Sequence, residues 1–144
     1  MRLTVQNFRR CKDVQIEGTK PVQLLIGENQ QGKSSILGAV QVALTGRHPG
    51  WIQKQSDSVY DLRREGAKKA AIDLMFTYGQ QVPCGIGVHR EIAAKAQALQ
   101  VEVAYDNGPM AVTGTTTQQQ EDLCARIGLT QQQLACLLDA GQFL

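Results

Sequence analysis

Polar and apolar residues alternate from the first positions of the chain. Leu3 and Val5, followed by Phe8, mark one short strand, and Val14 and Ile16 mark a second across the polar Arg9–Asp13 turn. After Pro21 the pattern changes to the nearly continuous apolar run Val22-Gln23-Leu24-Leu25-Ile26, which predicts a strand buried on both faces of a sheet. Gly27 ends that strand. From Lys33 the spacing becomes helical, with Ile36, Leu37, Val40, Ala43 and Leu44 on one stripe and Gly46 as the stop. Arg47 to Tyr60, with Pro49, Gly50 and Trp51, reads as an exposed polar excursion.

Alternation then returns. Ala70, Ile72, Leu74 and Phe76 predict one strand, Ile86 to Ile92 another, and Leu99, Val101 and Val103 a third. Asp106-Asn107-Gly108 is a hairpin signal, with Met110 and Val112 on the returning strand. An antiparallel meander of three or four strands follows from this. Thr117-Gln118-Gln119-Gln120 and Thr130-Gln131-Gln132-Gln133 each place Thr three residues before Gln, the arrangement of a capping box. Leu123 and Ile127, then Leu134, Leu137 and Leu138, give the two helices so started their apolar faces.

Between the apolar run and the first helix lies Gly27-Glu28-Asn29-Gln30-Gln31-Gly32-Lys33-Ser34, which satisfies G-x-x-x-x-G-K-[ST] at every fixed position. At average residue frequencies such a match arises by chance in under about one chain in a hundred of this length. The glycines let the backbone turn its amides inward as an anion-binding nest, and the helix aims its positive end at the same point. Lys33 is placed to reach the β- and γ-phosphates of a nucleoside triphosphate, and the Ser34 hydroxyl to ligate magnesium. Ser35 is placed to support an α-phosphate oxygen. The nucleotide-binding set so predicted is Gly27, Asn29, Gln30, Gln31, Gly32, Lys33, Ser34 and Ser35.

Composition restricts the picture only mildly. The chain has 144 residues, 42% apolar and 19% charged, which suits one globular domain. A net charge of +2 neither demands nor excludes nucleic acid. Cysteines at 11, 84, 124 and 136 form no CxxC pair, which favours free thiols in a reducing cytoplasm over zinc or disulfides. The N-terminus lacks the apolar stretch of a signal peptide, and no segment approaches the roughly 18 apolar residues that span a membrane. The apolar last residues, Phe143 and Leu144, predict a fragment of a longer protein.

Val5-Gln6-Asn7-Phe8-Arg9-Arg10, the loop Gly27–Ser35 and Ile36-Leu37-Gly38-Ala39-Val40 together resemble the start of SMC, SbcC and RecF type ATPases. The resemblance continues through Leu62-Arg63-Arg64-Glu65-Gly66-Ala67, the strand Ala70–Phe76 and Val88-His89-Arg90-Glu91-Ile92. It implies an α/β fold, the N-terminal lobe of an ABC-type ATPase head (a P-loop NTPase) over residues 1–144, with an antiparallel β meander and flanking helices. It also implies ATP and Mg2+ as ligands and a role in DNA repair, recombination or chromosome maintenance. The partners implied are a second head joined through bound ATP, the chain's own C-terminal lobe, DNA and a nuclease subunit, with no membrane.

Within the resemblance, Arg9 or Arg10 is placed to touch nucleotide phosphates or sugar. Arg63 or Arg64 resembles an arginine loop that links DNA or partner-head contact to hydrolysis. Solvated surface arginines are the competing reading of all four, and His89 and Arg90 read as structural. Asp139-Ala140-Gly141-Gln142-Phe143 resembles a Q-loop, whose glutamine helps hold magnesium and the attacking water. Many relatives carry Gln directly before the Gly, where this chain has Ala140, so Gln142 serves as the catalytic and metal-holding glutamine only with a shifted register. No Asp-Glu Walker B strand, LSGG-type signature or switch histidine occurs, and the resemblance places these beyond Leu144. The alternatives are the nucleotide-binding subunit of a membrane transporter and a non-catalytic nucleotide-binding module. The isolated segment is expected to bind and not to turn over.

Overall fold

A computed structural model describes residues 1–20, 22–48, 58–78, 84–105 and 108–138. The alternating segments become strands β1 (Arg2–Phe8), β2 (Cys11–Glu17), β3 (Ala70–Tyr78), β4 (Cys84–Ile92), β5 (Gln97–Tyr105) and β6 (Gly108–Ala111). They form one antiparallel sheet in the order β2-β1-β3-β4-β5-β6. The helices are α1 (Lys33–Thr45), α2 (Thr116–Ile127) and α3 (Gln131–Leu138), and a single 3-10 turn covers Val59–Leu62. The α1 helix packs across β1, β3 and β4, α2 lies on β5, and α3 lies beside α1.

The period of two decides which face is covered. Leu3 and Val5, Ile72 and Leu74, Ile86 and Val88, and Leu99 and Val101 all point to the helices and are buried. Burying one such side chain is worth about 1.5–3 kcal/mol. Arg2, Asp73, His89 and Glu102 fall on the opposite, exposed face. There Asp73 Oδ1 meets His89 Nδ1 at 2.5 Å. The positive φ of Asn7 (52°) breaks the alternation, and Phe8 ends in the core with its ladder partner Cys11. Cys11, Cys124 and Cys136 are free thiols.

Three expectations are corrected. The run Val22–Ile26 is no strand: it is extended, outside the sheet, with Val22, Leu24 and Ile26 at 83%, 81% and 85% exposure. A strand buried on both faces needs a neighbour on each side, and among the described residues none pairs with it. Leu37, assigned to the apolar stripe of α1, is 54% exposed. The face against the sheet is made instead by the smaller Ala39, Val42 and Ala43, which let the helix approach closely. The cap of α2 lies two residues earlier than the Thr117 pattern predicts. Thr115 accepts from Gln118 N while the Gln118 side chain accepts from Thr115 N. The second box holds as read, with Thr130 and Gln133 capping α3 reciprocally. Tyr105 pairs with Gly108 as the hairpin signal requires, although Asp106 and Asn107 lie outside the described residues, as does most of the Arg47–Tyr60 excursion.

Freed from capping, Gln119 and Gln120 tie α2 to the rest of the molecule. Gln119 accepts from Val101 N at 2.8 Å and donates to Gly114 O at 3.1 Å. Gln120 reaches the end of α1, where the carbonyls left over by the helix all find donors. Val42 O accepts from Gly46 N, and Ala43 O accepts from Arg90 Nε and Nη2. Leu44 O accepts from Gln120, Thr45 O from Gln131, and Gly46 O from Gln97. Side chains from β4, β5, α2 and α3 therefore converge on one helix end.

Candidate phosphate-binding site

At the opposite end of α1 the chain leaves its apolar segment and turns through Gly27–Ser34. Gly32 is the N-cap in a left-handed conformation (φ 97°), and its carbonyl accepts the first helical bond from Ile36 N at 3.0 Å. A residue with a Cβ is strained there, so the glycine serves the turn itself. No side chain caps this terminus, and no acidic residue stands in its first turn. The leading amides of α1 and its positive dipole end are therefore offered to an anion. Lys33 Nζ lies over the loop, donating to Gly27 O at 2.5 Å and to Glu28 O at 2.6 Å.

The turn between β1 and β2 supplies the next wall. Arg10 Nη1 donates to Gln30 O at 2.7 Å, which ties this turn to the phosphate loop. Arg9 (φ 47°) and Gln30 (φ 69°) both hold left-handed backbones that non-glycine residues seldom adopt. The segment after the 3-10 turn is bound to the same place. Arg9 N donates to Leu62 O and Arg64 N to Asn7 O, each at 2.7 Å, and Arg64 Nη1 donates to Arg10 O at 3.2 Å. A cavity of about 280 Å³ results, lined by Arg9, Arg10, Asn29, Gln30, Gly32, Lys33, Ser34 and Ser35. Beside it lies a depression of about 490 Å³ walled by Arg9, Arg10, Arg64 and Glu65.

The structure thus brings Arg9, Arg10, Asn29, Gln30, Lys33, Ser34 and Ser35 together, with Gly27, Gln31 and Gly32 shaping the loop. Ser34 is exposed and Ser35 buried. It separates Arg63 from Arg64. Arg63 has an extended backbone, so consecutive side chains diverge. Its guanidinium donates to Tyr60 O, Ala67 O and Lys68 O, closing its own loop, while Arg64 faces the turn that holds Arg9 and Arg10. Gln142, Ala140 and Gly141 lie outside the described residues. Among the described residues no group of three His, Cys, Asp or Glu side chains could hold a metal. A cation here would take its oxygens from the Ser34 hydroxyl, water and a bound anion. Near this site, burial pushes the Cys11 thiol up, opposed by the charge of Arg9. The glutamines that hold the far end of α1 were missed from the sequence. The sequence pattern assigns Gln120 to a cap, although its place three residues before Leu123 puts it on the buried face of the helix.

The sequence pattern of the AAA domain family matches residues 2–134. Two relatives described as DNA double-strand break repair Rad50 ATPases come from archaea. That of Thermoplasma acidophilum is 32% identical over 78 residues, 54% of this chain and 8% of the relative. That of Archaeoglobus fulgidus is 36% identical over 75 residues, 52% of this chain and 8% of the relative. The DNA replication and repair protein RecF of Gloeobacter violaceus is 44% identical over 43 residues, 30% of this chain and 12% of its own length. This chain thus spans a small part of the curated relatives it matches. Among solved structures, a chain from work on ATP-driven dimerization and DNA-stimulated activation of SMC ATPases superposes with a TM-score of 0.63 at 17% identity, covering 90% of this chain and 79% of that one. A structure of the recombination mediator RecF with ATP gives a TM-score of 0.55 at 20% identity, covering 78% and 28%. At these identities the superpositions establish the fold, and the match over residues 2–134 establishes the family. The chain belongs to the AAA domain family, is similar in sequence to Rad50 and RecF proteins over part of its length, and shares its fold with the superposed parts of the SMC and RecF structures.

Proposed function

We propose that the loop Gly27–Ser34 binds ATP with magnesium, and that the chain is the phosphate-binding lobe of an ATPase acting in DNA repair, recombination or chromosome maintenance. One observation carries this reading: the N-terminus of α1 is uncapped by any side chain and is surrounded by Lys33, Arg9, Arg10 and Arg64. Backbone amides, a dipole end and four cations converge where a triphosphate would lie. Lys33 would hold the β- and γ-phosphates, Arg9 and Arg10 would hold flanking oxygens, and Ser34 would hold the magnesium. When bound, magnesium neutralises the phosphate charge. The residues of the chain bind, orient and partly desolvate the phosphates.

Among the described residues the cavity lining contains no carboxylate or histidine, and none of those lining residues is a ready acceptor for a proton from water. Hydrolysis would need groups from a second lobe and from a second head. The SMC relative was studied for ATP-driven dimerization, which supports the latter. The exposed run Val22, Leu24 and Ile26, which leads directly into the loop, supports the former: it fits an inner strand of a sheet shared with a second lobe. DNA repair comes from the names of the Rad50 and RecF relatives.

Titration with a fluorescent ATP analogue and magnesium tests the reading. Lys33→Ala should abolish binding and leave the melting temperature within about 2 °C, since loss of its two exposed bonds to the loop carbonyls changes stability by roughly 0.5 kcal/mol. Undiminished binding by Lys33→Ala would exclude the loop as the nucleotide site.

A further inference from the structure

Arg90 is 2% exposed, the largest fully buried side chain among the described residues, and it meets no carboxylate there. Strand parity puts it in the core: Arg90 stands in register with Ile72 on one side and Leu99 on the other. Its Nε and Nη2 donate to Ala43 O at 3.1 and 3.0 Å, its Nη2 to Gln120 Oε1 at 2.7 Å, and its Nη1 to Gln97 Oε1 at 3.3 Å. Both glutamines then donate back to α1, Gln120 to Leu44 O at 2.8 Å and Gln97 to Gly46 O at 3.1 Å. Gln131, the first residue of α3, donates to Thr45 O and accepts from Arg47 Nη2 at 3.2 Å.

Burying a cation is strongly unfavourable unless something answers its charge. Here burial lowers the Arg90 pKa to about 10, so the guanidinium stays charged at neutral pH. The answering charge is the C-terminal dipole end of α1, worth roughly half an electron. The same helix presents its positive end to the phosphate site, about 20 Å away along 13 residues. A plain structural role would be filled as well by an apolar side chain and an ordinary cap. A cation at one end and an anion site at the other make α1 a rigid rod charged to be held at both ends.

Resting on the nucleotide reading above, we propose that Arg90 is a positioning residue for the nucleotide, and that its clasp with Gln97 and Gln120 on the end of α1, extended by the bond of Gln131 to the Thr45 carbonyl, transmits phosphate binding at Lys33 and Ser34 to α3. An anion at the front of α1 and the clasp at its rear favour the same seating of the helix. By linkage each then strengthens the other. The route is physically continuous: α1 carbonyls, the Gln120 and Gln131 amides, then α2 and α3.

The test is hydrogen exchange at the α3 amides (Gln131–Leu138) of the full chain, with and without saturating magnesium-ATP, alongside affinity from the fluorescent analogue. In the wild type, nucleotide should slow α3 exchange at least about fivefold. Arg90→Met should bind about tenfold more weakly, and at saturation its α3 exchange should not respond. Arg90→Lys, which restores the cation, should recover part of both effects. Gln131→Leu cuts the direct bond from α1 to α3 and leaves Arg90 and Gln120 in place, so it should still bind nucleotide but lose most of the α3 response, and it serves if Arg90→Met does not fold. Leu123→Ala, a core truncation in α2 outside the clasp, should lower the melting temperature and keep the response. A wild type that binds nucleotide without slowing α3, or an Arg90→Met or Gln131→Leu variant that keeps the slowing, overturns this inference alone. A wild type that fails to bind nucleotide overturns both this inference and the reading it rests on.

Discussion

Replacing Gly46 by alanine should destabilise the protein far more than the same change at Gly128, although both glycines do the same local job. Each ends a helix in the left-handed region, Gly46 at φ 66° after α1 and Gly128 at φ 78° after α2. The backbone strain of an alanine there is about 1–2 kcal/mol in either case. The surroundings differ. A Cβ on Gly128 meets nothing within 4 Å, whereas one on Gly46 would lie 2.7 Å from Arg90 Nη1 and 3.2 Å from its Cζ. Arg90 has no room to retreat, so the guanidinium must leave Gln97 and tilt off Ala43 O. Weakening hydrogen bonds of a charged group adds roughly 1.5–3 kcal/mol. The expected totals are therefore about 2.5–5 kcal/mol for Gly46→Ala and about 1–2 for Gly128→Ala. In a domain of this size that is a fall in melting temperature of roughly 8–15 °C against roughly 3–6 °C. Urea unfolding followed by far-ultraviolet circular dichroism measures both, with equal m-values as the check that only stability changed. Equal losses for the two variants would show that Arg90 yields freely, and the account of a rigid clasp would be wrong.

Ser34→Ala should weaken nucleotide binding in magnesium and leave magnesium-free affinity largely intact, as read by titration with and without EDTA. The opposite pattern would remove Ser34 from the metal. Thr115→Ala removes one half of the α2 capping box and should lower stability by about 0.5–2 kcal/mol in urea unfolding; no loss would mean that the cap adds nothing to the packing of Leu123 and Ile127 and the bonds of Gln119 and Gln120. Burial raises the Cys11 pKa above its usual 9.0, so the native thiol keeps its proton where the unfolded chain releases it. The stability this group contributes is full below about pH 9 and declines as pH rises beyond it. A Cys11→Ala variant should therefore show a flatter alkaline stability profile than the wild type, and parallel profiles would contradict this.

What the sequence conveyed depends on whether the information was local. Leu3 and Val5, Ile72 and Leu74, and Val101 announce their strands because one sheet face is covered and the other wet, which a period of two records directly. The phosphate loop is legible for a similar reason, since its glycines, lysine and serine do their work within eight consecutive residues. Val22–Ile26 misled because an apolar run states only that it avoids water, not which neighbour covers it. Leu37 misled because a helical stripe does not say whether large or small residues meet the sheet. Thr117 and Thr115 both precede a Gln by three, and only the tertiary pull on Gln120 decides between them. The choice between Arg63 and Arg64 rested on the direction of side chains in an extended segment, which the backbone fixes. Arg90 was visible as a polar residue on the parity of Ile86, Val88 and Ile92, but its partners come from 43, 97 and 120, too scattered for any motif.

The unpaired run before the phosphate loop also bears on how the polypeptide behaves at high concentration. Val22, Leu24 and Ile26 turn apolar side chains outward from a backbone that no strand among the described residues occupies. A short, uncharged, extended stretch of this kind is a template for intermolecular β-pairing. The neighbouring residues oppose it: Lys20 and Pro21 stand immediately before it, and Glu28 follows two residues after Ile26. Charge and proline at these positions act as gatekeepers against self-association. Exchanging Lys20 for a neutral residue and Pro21 for one with a backbone N–H should therefore lower solubility, so this stretch of sequence is under a colloidal constraint as well as a structural one.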